Sequence, residues 1–390
     1  MFYELAASSW AKEETDALEK VIDSGFFTMG ENVAKFEAEY AAYFGKKYGV
    51  MVNSGSSANL IAIASLFYKH DHPLKPGDEV IVPAISWATT YYPLMQYGLK
   101  LKFVDVDLVT LNMDCTQLEE ALSEKTKMIV GVSILGNPAP LDVMRTFADK
   151  HALYFFEDNC ESMDAELNGA KTGTFGDLNT FSFFFSHHIS TMEGGMILTD
   201  DKELYELAYS LRNHGWTRGL PDDSTLYDKQ SDAFSEAYRF ILPGYNVRPT
   251  ELNAAVGLEQ LKKLPSMTEQ RRKNWQYFQS KFSADPRFII QQENGCSSAF
   301  SFTIILSPEL DIERAQVFDA LKEADIGYRM ITGGNFLRHD VIKYADYDTV
   351  GDMVNADIAH DRGFFVGNHP YDLSEQIDRL HSVLDCCVSV

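Results

Sequence analysis

The feature that most constrains this chain is a series of short apolar runs alternating with amphipathic ones. Tyr48–Val52, Glu79–Val82, Lys102–Val106, Met128–Val132, Tyr154–Glu157 and Phe181–Phe185 are each too short and too apolar to be amphipathic helices. Between several of them lie stretches with helical spacing, such as Ala58–Tyr68, Thr116–Leu122 and Leu141–His151. Strands buried on both faces and separated by helices predict an α/β fold with a mostly parallel sheet covered on both sides. Ala11–Ser24 and Asn32–Phe44 read as two further helices, closed by Gly25 and Gly45.

After about Arg248 the pattern changes. A long helical stretch, Thr250–Phe282, is followed by an apolar run, Phe300–Leu306, and another helix, Ile312–Ala324. A chain of 390 residues exceeds one ordinary core. The expected division is a large domain over 12–249 and a smaller C-terminal α/β domain over 250–390, with residues 1–11 packing near the smaller one.

A net charge of −23 argues against nucleic-acid binding, which needs a basic footprint. It leaves anionic small molecules open, because helix N-termini and a few local cations hold them. No apolar run reaches membrane-spanning length, and Met1–Glu14 lacks the pattern of a signal peptide. The five cysteines are scattered without disulfide or metal spacing, so a cytoplasmic location is expected.

Three segments carry candidate chemistry. In Asn53-Ser-Gly-Ser-Ser57 the chain passes from strand to helix. Gly55 permits a tight turn, and the amides of Gly55 and Ser56 point out of a helix N-terminus, as a phosphate requires. The same serines also cap a helix with no ligand present. In Glu157-Asp158-Asn-Cys-Glu161 a carboxylate follows a strand, at the sheet edge where such folds bind ligands. Asp158 there either caps a helix or pairs with a protonated ring nitrogen. In Ser182-Phe-Phe-Phe-Ser-His187-His188 two adjacent histidines point oppositely on an extended chain, so they are poor ligands for one metal.

The order of Ser54-Gly-Ser-Ser-Ala58, Trp87, Glu157-Asp158, Ser182-Phe183, the Glu193-Gly-Gly195 motif and Asn246 resembles the sugar-aminotransferase family of fold-type-I pyridoxal phosphate proteins. The likeness runs from about Phe27 into the C-terminal region. It implies a homodimer with pyridoxal or pyridoxamine phosphate in a cleft between subunits. It assigns Gly55, Ser56 and Ser182 to the cofactor phosphate, Trp87 to the ring face and Asp158 to the ring nitrogen. Asn246 would reach the phosphate from the partner subunit. Glu161 would face the phenolic oxygen, where the family commonly has Gln or His.

One departure is decisive. The family usually reads Lys-Asn-Ile-Thr before Glu-Gly-Gly, and this chain reads His187-His188-Ile189-Ser190. Imidazole cannot make the covalent bond to the cofactor aldehyde that a lysine amine makes, but it can move protons. The histidine is similar to that of the family's 3-dehydratase branch. This likeness implies a lyase that holds pyridoxamine phosphate non-covalently and acts on a GDP-linked keto sugar. L-glutamate would be the amine donor and His187 the base. His214, Arg218, Arg248 and Arg329 are candidate substrate contacts.

Three other readings carry different expectations. An aminotransferase using His187 would transfer the amine to sugar. A non-catalytic binder would show no turnover. The iron-sulfur-coupled relatives carry a cysteine cluster after the histidine motif. Here no cysteine lies between Cys160 and Cys296, so neither that cluster nor a reductase partner is expected.

Overall fold

The computed structural model describes residues 2–388. Its centre is an eight-stranded sheet. In chain order the strands are β1 (Tyr48–Val52), β2 (Glu79–Pro83), β3 (Lys100–Val104), β4 (Thr126–Val132), β5 (Tyr154–Asp158), β6 (Leu178–Ser182), β7 (Gly195–Thr199) and β11 (Tyr347–Val350). They lie in the order β1-β7-β6-β5-β4-β2-β3-β11. Only β7 runs against its neighbours, β1 and β6. Strands β2, β5 and β6 are buried almost throughout, as two-sided coverage demands, although β6 carries Asn179, Thr180 and Ser182 among its five residues.

The topology gathers one edge of the sheet for function. β1, β5 and β6 end there, and β7 begins there, because Gly195 pairs with both Val52 and Ser182. Helix α3 (Gly55–Phe67) leaves this edge directly after β1, and α4 (Ala88–Gln96) follows β2. The sequence reading overlooked α4, whose Pro93 and aromatic residues blur the helical period. It also ran the β6 segment on to Phe185. The strand stops at Ser182, and Phe184 and Phe185 stand exposed in a turn.

A second sheet is antiparallel, in the order β8 (Phe288–Ile290), β9 (Ser301–Leu306), β12 (Gly363–Gly367), β10 (Tyr328–Arg329). Its core stacks Phe278 on Phe302 at 4.7 Å. Tyr3, from the N-terminal segment, lies in the same core and donates its hydroxyl to the Gly367 carbonyl at 2.5 Å.

The 32-residue helix α7 (Glu251–Phe282) joins the two parts. Near its start, Glu251 accepts the N–H groups of Gly30, Asn32 and Val33 at 2.8–2.9 Å. A carboxylate from another element thereby caps the first turn of α2 (Glu31–Tyr43). The far end of α7 supplies Trp275, Phe278 and Phe282 to the smaller core. Chain order and spatial grouping part beyond residue 330, where Ile331, Phe336, Ala356 and Ala359 pack in the core of the large part and β11 extends the large sheet beside β3. Among the described residues no helix is long and apolar enough to cross a membrane.

Candidate active site

The edge formed by β1, β5, β6 and β7 is a polar cleft built on close backbone packing. Ser54 caps α3 by accepting the Ser57 N–H at 3.1 Å. The first main-chain bond of the helix runs from Ala58 N–H to Ser54 C=O, so the Gly55 and Ser56 amides precede the helical ladder. Gly55 is required by its neighbours: a Cβ there would lie 2.5 Å from Ser182 Cβ and 3.2 Å from Cys160 Sγ. The bare backbone thus brings against the Ser182 side chain two amides that bond to nothing among the described residues. This is the geometry a phosphate oxygen needs.

Asp158 closes β5 and is almost wholly buried. Its Oδ2 accepts from Asn59 Nδ2 at 2.8 Å and from Thr90 Oγ1 at 2.7 Å, and its Oδ1 accepts the Cys160 N–H at 3.1 Å. Asn59 is itself fixed by Thr180, whose hydroxyl donates to Asn59 Oδ1 at 2.6 Å. The carboxylate is therefore locked in orientation and still has accepting capacity on Oδ1. Strand alternation turns its neighbour Glu157 the other way. There Glu157 accepts the N–H groups of Gly173, Phe175 and Gly176, and burial raises its pKa to about 7. Of the acidic pair, only Asp158 is presented at the cleft.

His187 and His188 diverge as adjacent residues should. His188 is buried, with Nε2 facing the Ser298 carbonyl at 3.3 Å, and it carries structure. His187 is half-buried, with Nδ1 2.8 Å from the Cys160 carbonyl. A carbonyl only accepts, so the neutral ring carries its proton on Nδ1 and its lone pair on Nε2. Burial lowers its pKa to about 4, against the opposing pull of the Cys160 carbonyl and the Asp158 charge. The Phe300 ring packs edge-on at 5.3 Å and excludes water from one side. At neutral pH the imidazole is an uncharged, oriented base.

Glu161 faces the same cleft. Its Oε2 accepts the Leu135 N–H at 3.1 Å and the Thr332 hydroxyl at 3.2 Å, and burial raises its pKa to about 7. Near neutrality it is a carboxyl able to donate a proton or a hydrogen bond. Trp87 sits at the N-terminus of α4 and is 58% exposed. Two residues of that helix's first turn are tied to the cleft, Thr89 through Ser56 and Thr90 through Asp158.

The remaining expected residues lie apart from this cluster. Asn246 and Arg248 pair with each other, Arg248 Nε donating to Asn246 Oδ1 at 3.1 Å. The intervening Val247 carbonyl accepts the Asn53 N–H at 3.0 Å, so this segment borders the α3 terminus. His214 is exposed at φ 64°, and Arg218 lies over the Trp216 ring at 5.2 Å. Arg329 is exposed on β10. Among the described residues none of the five bonds to His187, Asp158 or Glu161.

Sequence reasoning missed Asn59, Thr90, Thr180, Leu135, Thr332 and Phe300. Asn59 left a trace, as an amide inside an otherwise apolar helix. Thr332 and Phe300 left none, because they reach the cleft only through folding of the smaller part.

Free amides at a helix start, a locked carboxylate and an exposed indole across a parallel sheet edge suit a flat, protonated heterocycle bearing a phosphate. The fold and this cleft define a fold-type-I pyridoxal phosphate protein. The chain belongs to the DegT/DnrJ/EryC1/StrS aminotransferase family, whose sequence model matches residues 8–385. It is 51% identical over 384 residues to the GDP-4-keto-6-deoxy-D-mannose 3-dehydratase of Yersinia pseudotuberculosis, an alignment covering 98% of each chain. It superposes with a TM-score of 0.96 on the solved Escherichia coli GDP-4-keto-6-deoxy-D-mannose-3-dehydratase with bound hydrated PLP. That protein is 49% identical, over 98% of this chain and 100% of the other. A second structure, of GDP-4-keto-6-deoxymannose-3-dehydratase with a trapped PLP-glutamate geminal diamine, matches with the same TM-score, identity and coverage.

Proposed function

We propose that this chain is a 3-dehydratase. It removes the C3 hydroxyl of GDP-4-keto-6-deoxy-D-mannose and gives GDP-4-keto-3,6-dideoxy-D-mannose, ammonia and, from L-glutamate, 2-oxoglutarate. The observation that carries the reading is His187, an oriented neutral imidazole at the position where the family has lysine. The names of the relatives at 49–51% identity support it.

When bound, pyridoxamine phosphate supplies an amine for the sugar's C4 ketone and a ring that takes up electrons. The Gly55 and Ser56 amides and the Ser182 hydroxyl hold the phosphate. Trp87 covers the ring face, and Asp158 keeps the ring nitrogen protonated and positively charged. Neutral Glu161 donates to the phenolic oxygen. His187 Nε2, with its free lone pair, would be the group that accepts a proton at the cofactor's reacting carbon and returns it to the departing C3 hydroxyl, which would leave as water. Because the imidazole forms no lasting bond to the cofactor aldehyde, the cofactor stays non-covalently bound. Glutamate would resupply the amine. His214, Arg218, Arg248 and Arg329 are the candidate contacts for the nucleotide sugar and for glutamate.

The working unit in this reading is a homodimer. Trp87, Phe184, Phe185 and Met192 are all more than 40% exposed at or beside the cleft, which is apolar surface that a second copy would cover. Asn246, also exposed, would serve the neighbouring copy's phosphate site. The enzyme would work in the cytoplasm, in keeping with five free cysteines.

The test incubates the protein with pyridoxamine phosphate, glutamate and the keto sugar. Stoichiometric ammonia and 2-oxoglutarate, with a product one oxygen lighter than the substrate, are expected. An amino sugar without ammonia would overturn the reading.

A further inference from the structure

Two non-glycine residues in left-handed conformation converge on one oxygen of the cleft. Leu135 has φ 51° and ψ 36°, and Thr332 has φ 43° and ψ 35°. A bulky or β-branched residue in that region is a genuine outlier, and such strain concentrates where surrounding structure enforces it for function. Leu135 lies in a turn after β4, and Thr332 lies in a turn after β10 of the second sheet. From these separate parts of the fold, the Leu135 N–H and the Thr332 hydroxyl both donate to Glu161 Oε2.

Both turns are held by close contacts. Gly136 (φ 98°) lets the first turn touch the main chain of Ala299 and Phe300, where a Cβ would lie 2.5 Å from Phe300 N. Phe300 in turn donates its N–H to the Leu135 carbonyl at 3.2 Å and packs on His187. The second turn is fixed by His339, whose ring nitrogen lies 2.7 Å from the Gly333 carbonyl.

The consequence concerns the two oxygens of Glu161. A backbone N–H can only donate, so Oε2 must accept and is filled from two sides. Among the described residues Oε1 has no protein partner. A proton shared equally between two free oxygens would point at the cleft only part of the time. Here the donors confine it to Oε1.

We propose that Leu135 and Thr332 are positioning residues that fix the acidic proton of Glu161 on Oε1, so that the carboxyl presents a hydrogen-bond donor to an anionic oxygen of the bound cofactor. Thr332 is the part of this device that the smaller sheet contributes. The inference rests on the pyridoxal-cofactor reading and names a role for two residues to which neither the family motif nor the relatives' names assign one. The ionisable groups near Glu161 are Asp158 and Cys160 on its own loop and strand, and the 134–136 and 331–333 turns bring none.

Equilibrium binding of pyridoxamine phosphate, measured without sugar or glutamate, tests it. The variants are Thr332→Val, Thr332→Ser, Glu161→Ala and the double variant Glu161→Ala/Thr332→Val, at pH 6.5 and 8.5. Thr332→Val keeps the β-branch and loses the hydroxyl, so affinity should fall about tenfold at pH 6.5, the loss expected for one hydrogen bond of this kind. Thr332→Ser should stay within about twofold of wild type. In the Glu161→Ala background Thr332→Val should change nothing, because the residue acts only through the carboxyl. An equal loss from Thr332→Val with and without Glu161 would overturn the proposal, as would unchanged affinity in Glu161→Ala. Neither result bears on ammonia release, so a failure here and a failure of the dehydratase reading are separable.

Discussion

Replacing Glu161 by glutamine should stabilise the protein, and by an amount that depends on pH. Burial raises the Glu161 pKa from 4.5 to about 7. A shift of that size corresponds to about 3 kcal/mol between the two protonation states. The sign follows from proton binding. Between pH 4.5 and 7 the folded chain holds this proton and the unfolded chain releases it. Stability is therefore lost as pH rises through that window, and the loss is complete above it. Glutamine copies the neutral carboxyl: its carbonyl accepts from Leu135 and Thr332, and it carries no charge to desolvate. The variant should gain about 3 kcal/mol at pH 8 and about 1.5 kcal/mol at pH 5.5. For a chain of this length, unfolding entropy converts these to about 4 °C and about 2 °C in Tm. Paired thermal melts of cofactor-free wild type and E161Q at the two pH values provide the measurement. An equal Tm difference at both, or a variant less stable at pH 8, would refute the account of a strained neutral acid.

Four further outcomes are expected. His187→Lys should form a covalent bond with pyridoxal phosphate, seen by mass after borohydride reduction, and ammonia release should fall at least 100-fold; dehydration at the normal rate would remove His187 from its role. Gly55→Ala places a methyl 2.5 Å from Ser182 Cβ and should weaken cofactor binding more than tenfold by fluorescence titration; unchanged affinity would remove this turn from the phosphate site. Asn59→Ala strips a donor from Asp158 and leaves the Thr180 hydroxyl unpaired, so calorimetry should show about 1–3 kcal/mol less stability together with weaker cofactor binding. Because burial holds His187 near 4, its imidazole should stay neutral from pH 6 to 8 and take up a proton only below about pH 5; an assigned His187 signal titrating near 6.5 in NMR of the free protein would contradict this placement.

Much of this protein is written locally. The strands β1 to β6 and helices α2, α3 and α7 follow from the period and length of apolar runs. That signal is local and strong because strands buried on both faces tolerate little else. The phosphate-type turn at Gly55, the carboxylate at Asp158 and the histidine at position 187 are also legible, since each depends on a short segment at a strand end. Local patterning could not show that 347–350 returns to the large sheet. A four-residue, largely exposed strand has no signature until β3 offers an edge to pair with. Nor could periodicity alone separate the roles of neighbours such as Glu157 and Asp158, or His187 and His188; only the likeness to the family motif singled out Asp158 and His187. Only the strand's alternation, and the carbonyls of Cys160 and Ser298, decide which of each pair meets the cleft. The same holds for the groups that tune the site. Leu135 lies 26 residues before Glu161 in the chain, and Thr332 lies 171 residues after it. The sequence by itself determined the sheet, its functional edge and the exchange of lysine for histidine; tertiary packing alone decided the protonation and orientation of the groups there, because desolvation and hydrogen-bond direction depend on neighbours that are distant in the chain.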